Sequence, residues 1–259
     1  MTAQLPVVVA VVNNKGGVGK TTTSVNLSAA IASPERRVLL VDLDSQASAS
    51  LASGVDRTRL LPSSASVLLS GLPVEQAIRA TPVPHLDLIT GSLELANADL
   101  VLGDIKGREL VLKQAIKALR GRYDFVVLDC PPSLSLIGIN ALVAADALIV
   151  PVVPQFLSVE GLVSLLASVD KVRARLGTRS RVLGILLSMV DAGAKGQADL
   201  RDQVRARYRE GVFHTEIAAS PALANAPAGG KPILLTAPRS RGAEAFRRLA
   251  REFLQRLED

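Results

Sequence analysis

Residues 7–31 constrain the fold more than any other stretch of the chain. An apolar, β-branched run, Val7–Val12, leads into Asn13-Asn14-Lys15-Gly16-Gly17-Val18-Gly19-Lys20-Thr21-Thr22-Thr23, and a helical pattern through Val25, Leu27, Ala29, Ala30 and Ile31 leads out. Strand, glycine-rich loop and helix in that order make a phosphate-binding loop. Gly16, Gly17 and Gly19 let the backbone curl so that successive N–H groups point at phosphate oxygens. Lys20 can reach the β- and γ-phosphates, Thr21 can ligate Mg²⁺, and the dipole of the following helix favours negative charge. The reading is a chain that binds a nucleoside triphosphate. The run carries an additional lysine, Lys15, ahead of its glycines. Two lysines flanking one glycine cradle repel unless phosphate lies between them. Lys15 therefore either faces solvent or meets a phosphate.

The rest of the chain alternates in the same manner. Strand-like runs fall at Val7–Val12, Val38–Val41, Leu86–Ile89, Phe125–Leu128, Ala147–Val153, Val182–Ser188 and Val212–Ile217. Helical patterns fall between them at Thr21–Ala32, Glu109–Leu119, Leu134–Ala144, Val159–Leu176, Gln197–Arg209 and Arg241–Leu257. Residues 54–84, richer in Ser, Pro and Gly, read as short helices and loops. This is the signature of a single α/β domain over residues 1–259, a doubly wound and mostly parallel sheet flanked by helices. In such sheets ligands sit beyond the carboxyl ends of the strands. Asp42 and Asp44 end the second strand, and Asp129 ends the strand Phe125–Leu128 in the pattern of a Walker B acid. Beside a phosphate loop, a water-mediated role toward Mg²⁺ fits Asp129.

A single cysteine, Cys130, rules out a disulfide framework and a multi-cysteine metal cluster. The longest apolar region, Ala141–Leu157, carries Asp146 and two prolines, so no membrane span is expected and the cytoplasm is the expected compartment. Charge is unevenly placed: 13 Lys/Arg against 14 Asp/Glu in residues 1–169, and 17 against 10 in residues 170–259. A basic C-terminal third suits a polyanion, or else a set of solvated helix faces. Aromatics make up only 3% of the chain, so duplex phosphates are a better target than stacked single-stranded bases.

The run Lys-Gly-Gly-Val-Gly-Lys-Thr-Thr, together with Val150-Pro-Val-Val-Pro-Gln-Phe-Leu-Ser-Val-Glu-Gly161 and Pro238-Arg-Ser-Arg-Gly-Ala-Glu-Ala-Phe246, resembles the deviant Walker A ATPases of the ParA/MinD group. Within the group it is similar to short, Soj-like partition ATPases without an N-terminal operator-binding domain. The resemblance implies an ATP- and Mg²⁺-dependent homodimer with two sandwiched nucleotides. Non-specific binding to double-stranded DNA, and slow hydrolysis stimulated by a ParB-like centromere-binding partner, follow from the same resemblance, as does a nucleoid-associated location. It implies that Lys15 crosses to the partner's nucleotide, that Asp44 positions the attacking water, and that Asp42 with Thr21 and Asp129 serves Mg²⁺. Residues Lys15 to Thr22, among them Val18, would cradle the phosphates, with Met189 and Asp191 near the adenine. The family's usual arginines after the last core strand are absent, because Ile217 is followed by Ala218-Ala219-Ser220-Pro221-Ala222, and Gly193 matches another. The cations left for DNA are Lys195, Arg201, Arg205, Arg209, Arg239, Arg241 and Arg248; Arg201, Arg205 and Arg209 recur every four residues as one helix stripe. Two rival readings are a MinD-like or cargo-positioning ATPase, and a P-loop kinase or ligase acting on a small substrate. The first needs a membrane-surface helix; the apolar spacing of Phe246, Leu249, Phe253 and Leu257 fits core packing better.

Overall fold

The computed structural model describes residues 4–191, 193–194 and 196–259. Seven strands form one sheet: β1 (Val7–Val11), β2 (Val38–Asp42), β3 (Ile78–Ala80), β4 (Leu86–Ile89), β5 (Phe125–Asp129), β6 (Ala147–Val152) and β7 (Arg181–Leu187), in the order β3-β4-β2-β5-β1-β6-β7. All neighbours are parallel except β3, which pairs antiparallel with β4. The central strands are nearly unbroken Val, Leu and Ile because both of their faces are covered, so no polar side is needed. The helices are α1 (Lys20–Ile31), α2 (Ser48–Ala52), α3 (Ser64–Ser70), α4 (Ala98–Leu102), α5 (Val111–Lys117), α6 (Leu136–Ala144), α7 (Phe156–Leu176), α8 (Gln197–Tyr208), α9 (Pro221–Asn225), α10 (Ile233–Thr236) and α11 (Arg241–Glu258).

Two apolar cores lie on the two faces of the sheet. One gathers α3, α5, α6 and α7 through Leu68, Leu112, Ile137 and Leu165; the other gathers α1 and α11 through Leu27, Ile31, Phe246 and Phe253. The helices that follow β1 and β6 thus pack on opposite faces, although these strands are neighbours. Their loops diverge and open a crevice at the carboxyl ends, which is where an open α/β sheet holds its ligand. The whole apolar stripe of α11 is spent in this core, since Phe246, Leu249 and Phe253 are fully buried. Among the described residues no helix is long and apolar enough to cross a membrane.

Two segments differ from the sequence reading. Ile78–Ala80 is a short antiparallel edge strand inside the stretch expected to hold only loops and short helices. Val212–Ile217 is not a strand. It follows the edge of β7 through isolated bridges, with Phe213 N–H donating to Ile185 O and Ile217 N–H to Leu187 O. The irregularity has a local cause: the buried Phe213 ring covers Gly184 of β7 so closely that a Cβ there would lie 2.6 Å from it.

Candidate functional site

The loop between β1 and α1 is anchored at both ends. Asn13 donates through Nδ2 to Pro151 O of β6 at 2.7 Å and accepts Lys15 N–H on Oδ1 at 2.9 Å. At the far end Ser188 Oγ donates to Val18 O at 2.8 Å, and Val18 is buried. Between these anchors Gly17 and Gly19 adopt left-handed backbone, φ +71° and +85°, which other residues resist. Gly16 needs no such conformation, and a Cβ on it would meet nothing within 4 Å. Lys20, only 7% exposed, folds back over the loop so that Nζ donates to Lys15 O at 2.9 Å. Burial pulls its ammonium below the ordinary lysine value, against the opposing pull of Asp129, Cys130 and Asp44.

Behind the loop, the register of β2 against β5 sets Asp42 beside Asp129. Both are fully buried. Thr21 Oγ1 and Ser24 Oγ, one turn apart on α1, each donate to an Asp129 carboxylate oxygen at 2.8 Å. Asp42 accepts Ser50 N–H and Ser50 Oγ on Oδ2, at 2.8 and 2.7 Å, and Asp44 N–H on Oδ1 at 3.1 Å. These neutral donors offset only part of the desolvation. Burial first, and for Asp129 also the adjacent Asp42, raise both carboxyls well above the usual aspartate range. Two buried carboxylates at one place favour a positive charge nearby. Asp44 is partly exposed at the cleft, its Oδ1 accepting Gln46 N–H at 2.9 Å.

Among the described residues no group of three or more His, Cys, Asp or Glu could hold a metal ion. Mg²⁺ keeps most of its waters and takes few protein ligands alongside phosphate. Thr21 Oγ1 keeps a lone pair for the ion while it donates its proton to Asp129, so these residues fit Mg²⁺ carried in with a phosphate group.

The loop opens into a cleft of about 410 Å³ lined by Gly16, Gly17, Gly19, Lys20, Thr21, Thr22, Asp44 and Met189. The same cleft is bounded by residues with no chemical signature in the sequence: Asn26, Ala226, Pro227, Lys231 and Pro232. Asn26 Oδ1 accepts Ile233 N–H at 2.7 Å and so fastens this C-terminal lip to α1. A smaller apolar pocket of about 210 Å³ leaves the loop at Gly19 and Thr22, lined by Met189, Ile217, Ala218, Ala219 and Leu223. Asp191 joins neither. It lines a separate groove of about 710 Å³ with Arg201, His214, Glu216 and Arg248.

The basic candidates divide. Arg201 Nε and an Arg205 terminal nitrogen share Glu216 Oε1, at 3.3 and 2.8 Å, and Arg205 also donates to Phe213 O and His214 O. Arg209 has left the stripe: α8 ends at Tyr208, and Arg209 turns to φ +44° at its cap. Arg209, Arg239, Arg241 and Arg248 are exposed, and none has an acidic partner within 4.0 Å among the described residues. Lys195 lies outside the described residues.

Comparison with known proteins agrees with this architecture. Residues 7–182 match the family model described as an AAA domain. The chain is 41% identical to the sporulation initiation inhibitor protein Soj of Bacillus subtilis, covering 95% of this chain and 97% of that one. It is 37% identical to the chromosome partitioning protein ParA of Caulobacter vibrioides, over 97% and 95% of the two chains. A crystal structure from Mycobacterium smegmatis, described as cobyrinic acid a,c-diamide synthase with bound ADP and magnesium, superposes with a TM-score of 0.85 at 32% identity, covering 98% of this chain and 96% of that one. With a phosphate loop bearing a second lysine, paired aspartates at adjoining strand ends and nearly full-length identity to partition proteins, this chain belongs to the ParA/Soj family of P-loop ATPases.

Proposed function

We propose that the protein is an ATP-driven switch that pairs with a second copy, binds duplex DNA without reading sequence, and hydrolyses ATP to segregate replicated chromosome or plasmid DNA with a ParB-like partner. The observation that carries this reading is the second lysine of the phosphate loop, Lys15, ahead of the glycines in a chain 41% identical to Soj over nearly its whole length. Residues Gly16 to Thr22 hold the triphosphate, and Lys20 exchanges its bond to Lys15 O for phosphate oxygen. Thr21 offers its hydroxyl to Mg²⁺, and Asp129 and Asp42 accept protons of the ion's water shell. When bound there, Mg²⁺ would offset the negative charge of the phosphates. Asp44, half-exposed at the cleft, orients the attacking water. Lys15 of one copy supplies positive charge to the nucleotide of the other. The apolar pocket at Met189 takes the purine base. ATP-loaded pairs bind DNA phosphates through summed contacts and act on the nucleoid in the cytoplasm, and the partner speeds turnover.

The test is binding to a random-sequence duplex with ATP, ADP or no nucleotide across a salt series. Binding with ATP alone, falling steeply with salt, is the expected result; equal binding in all three states, or none, sinks the reading. The likeness to a structure described as a diamide synthase supports a second reading, ATP-dependent ligation of a small acid. Phosphate release stimulated by DNA, with no carboxylic acid present, separates the two.

A further inference from the structure

Lys15 is held by its own chain. Its Nζ donates to Ser158 Oγ at 3.0 Å, and Ser158 is buried in the first turn of α7. The topology brings them together. β1 and β6 are parallel neighbours, Val12 N–H donates to Ile149 O, and Asn13 is bonded to Pro151 O, so the loop leaves β1 against the segment that leads from β6 into α7. The contact is electrostatically unfavourable. α7 runs 21 residues with no acid in its first turn, and its positive dipole end faces the lysine's charge. Among the described residues no carboxylate lies within 4.0 Å of that amine. One hydrogen bond to a neutral hydroxyl therefore keeps Lys15 in a place that the surrounding field disfavours. Phe156 and Leu157, adjacent to Ser158, are 66% and 71% exposed, so the holding point stands beside an uncovered apolar pair.

We propose that Ser158 is a positioning residue: it keeps Lys15 in cis in the resting chain, and the Lys15–Ser158 bond must break before two nucleotide-loaded chains pair. The inference rests on the reading of Lys15 as a residue that serves the partner's nucleotide. The hydroxyl thereby sets how readily ATP converts single chains into pairs, without touching nucleotide itself. Loss of one such bond changes an equilibrium by about three- to tenfold.

The test compares the full chain with Ser158→Ala and with Ser158→Thr, which keeps the hydroxyl. Pulse acetylation without nucleotide, read by peptide mass spectrometry, should label Lys15 about three- to tenfold faster in Ser158→Ala and at the parental rate in Ser158→Thr. Lys113 and Lys117 serve as internal controls. Sedimentation with ATP and Mg²⁺, in an Asp44→Ala background to prevent turnover, should show pairing strengthened by a similar factor, with ATP affinity unchanged. Unchanged Lys15 labelling overturns the cis contact. Faster labelling with unaltered pairing overturns the claim that the contact opposes association. If neither parent nor variant pairs with ATP while labelling still responds, the trans reading of Lys15 fails, and this proposal goes with it.

Discussion

Asp129 is asked to be two things. Without a cation it is a buried carboxyl beside another, Asp42, and burial raises the proton affinity of both. With Mg²⁺ it must be a carboxylate. Between the ordinary value of 3.8 and the raised ones, the folded chain holds protons that the unfolded chain has lost, so this pair's contribution to stability falls as pH rises. The nucleotide- and metal-free protein should accordingly melt lower at pH 8 than at pH 5.5. Asp129→Asn removes one charge and keeps an oxygen for one of the two hydroxyls, so it should stabilise the free protein at pH 8 and flatten that slope. It should also abolish the Mg²⁺ dependence of ATP binding. Thermal melts at the two pH values decide this; a variant that melts below the parent at pH 8 with the slope intact counts against it.

Elements add constraints that no single residue reveals. The irregular Val212–Ile217 segment exists because Phe213 occupies the space above Gly184, so Gly184→Ala should cost about 2 kcal/mol of stability while leaving nucleotide affinity alone. A shift of the urea midpoint without a change of slope is the check. The same segment marks where the sequence was legible and where it was not. Central parallel strands such as Val38–Asp42 are read directly from unbroken apolar runs, and the phosphate loop from its glycines. Val212–Ile217 carries the same β-branched and aromatic signal, but packing against an edge with a bulky ring breaks the ladder. Ile78–Ala80 was hidden because a three-residue antiparallel edge leaves too short a pattern. Asp42, Asp44 and Asp129 follow from strand ends, whereas the cleft lip at Ala226–Pro232 consists of small residues that advertise no chemistry. Spacing placed Arg201 and Arg205 on one stripe, yet their common partner, Glu216, lies beyond the helix, where no periodicity rule reaches.

At the scale of the whole molecule, charge pairing decides which cations are available to a polyanion. Among the described residues Arg239, Arg241 and Arg248 have no acidic partner, while Arg201 and Arg205 are tied to Glu216. Replacing Arg248 with alanine should weaken binding to any duplex alike and lower the salt slope by about 1 if it meets one phosphate. Glu216→Gln should strengthen DNA binding by releasing two guanidiniums; fluorescence anisotropy across a salt series reads both, and a Glu216→Gln variant that binds more weakly refutes the assignment. The path from the nucleotide to this basic face passes one unusual joint. Gly54, just past α2, meets Gly230 so closely that a Cβ on either would lie 2.9 Å from the other's backbone. α2 also holds Asp42 through Ser50, and Gly230 leads through α10 to Arg239. Main chain bears on main chain there with no side chain as a cushion. A side chain on either glycine would have to part the end of α2 from the lip of the cleft, so only glycine at both positions lets the two segments lie this close.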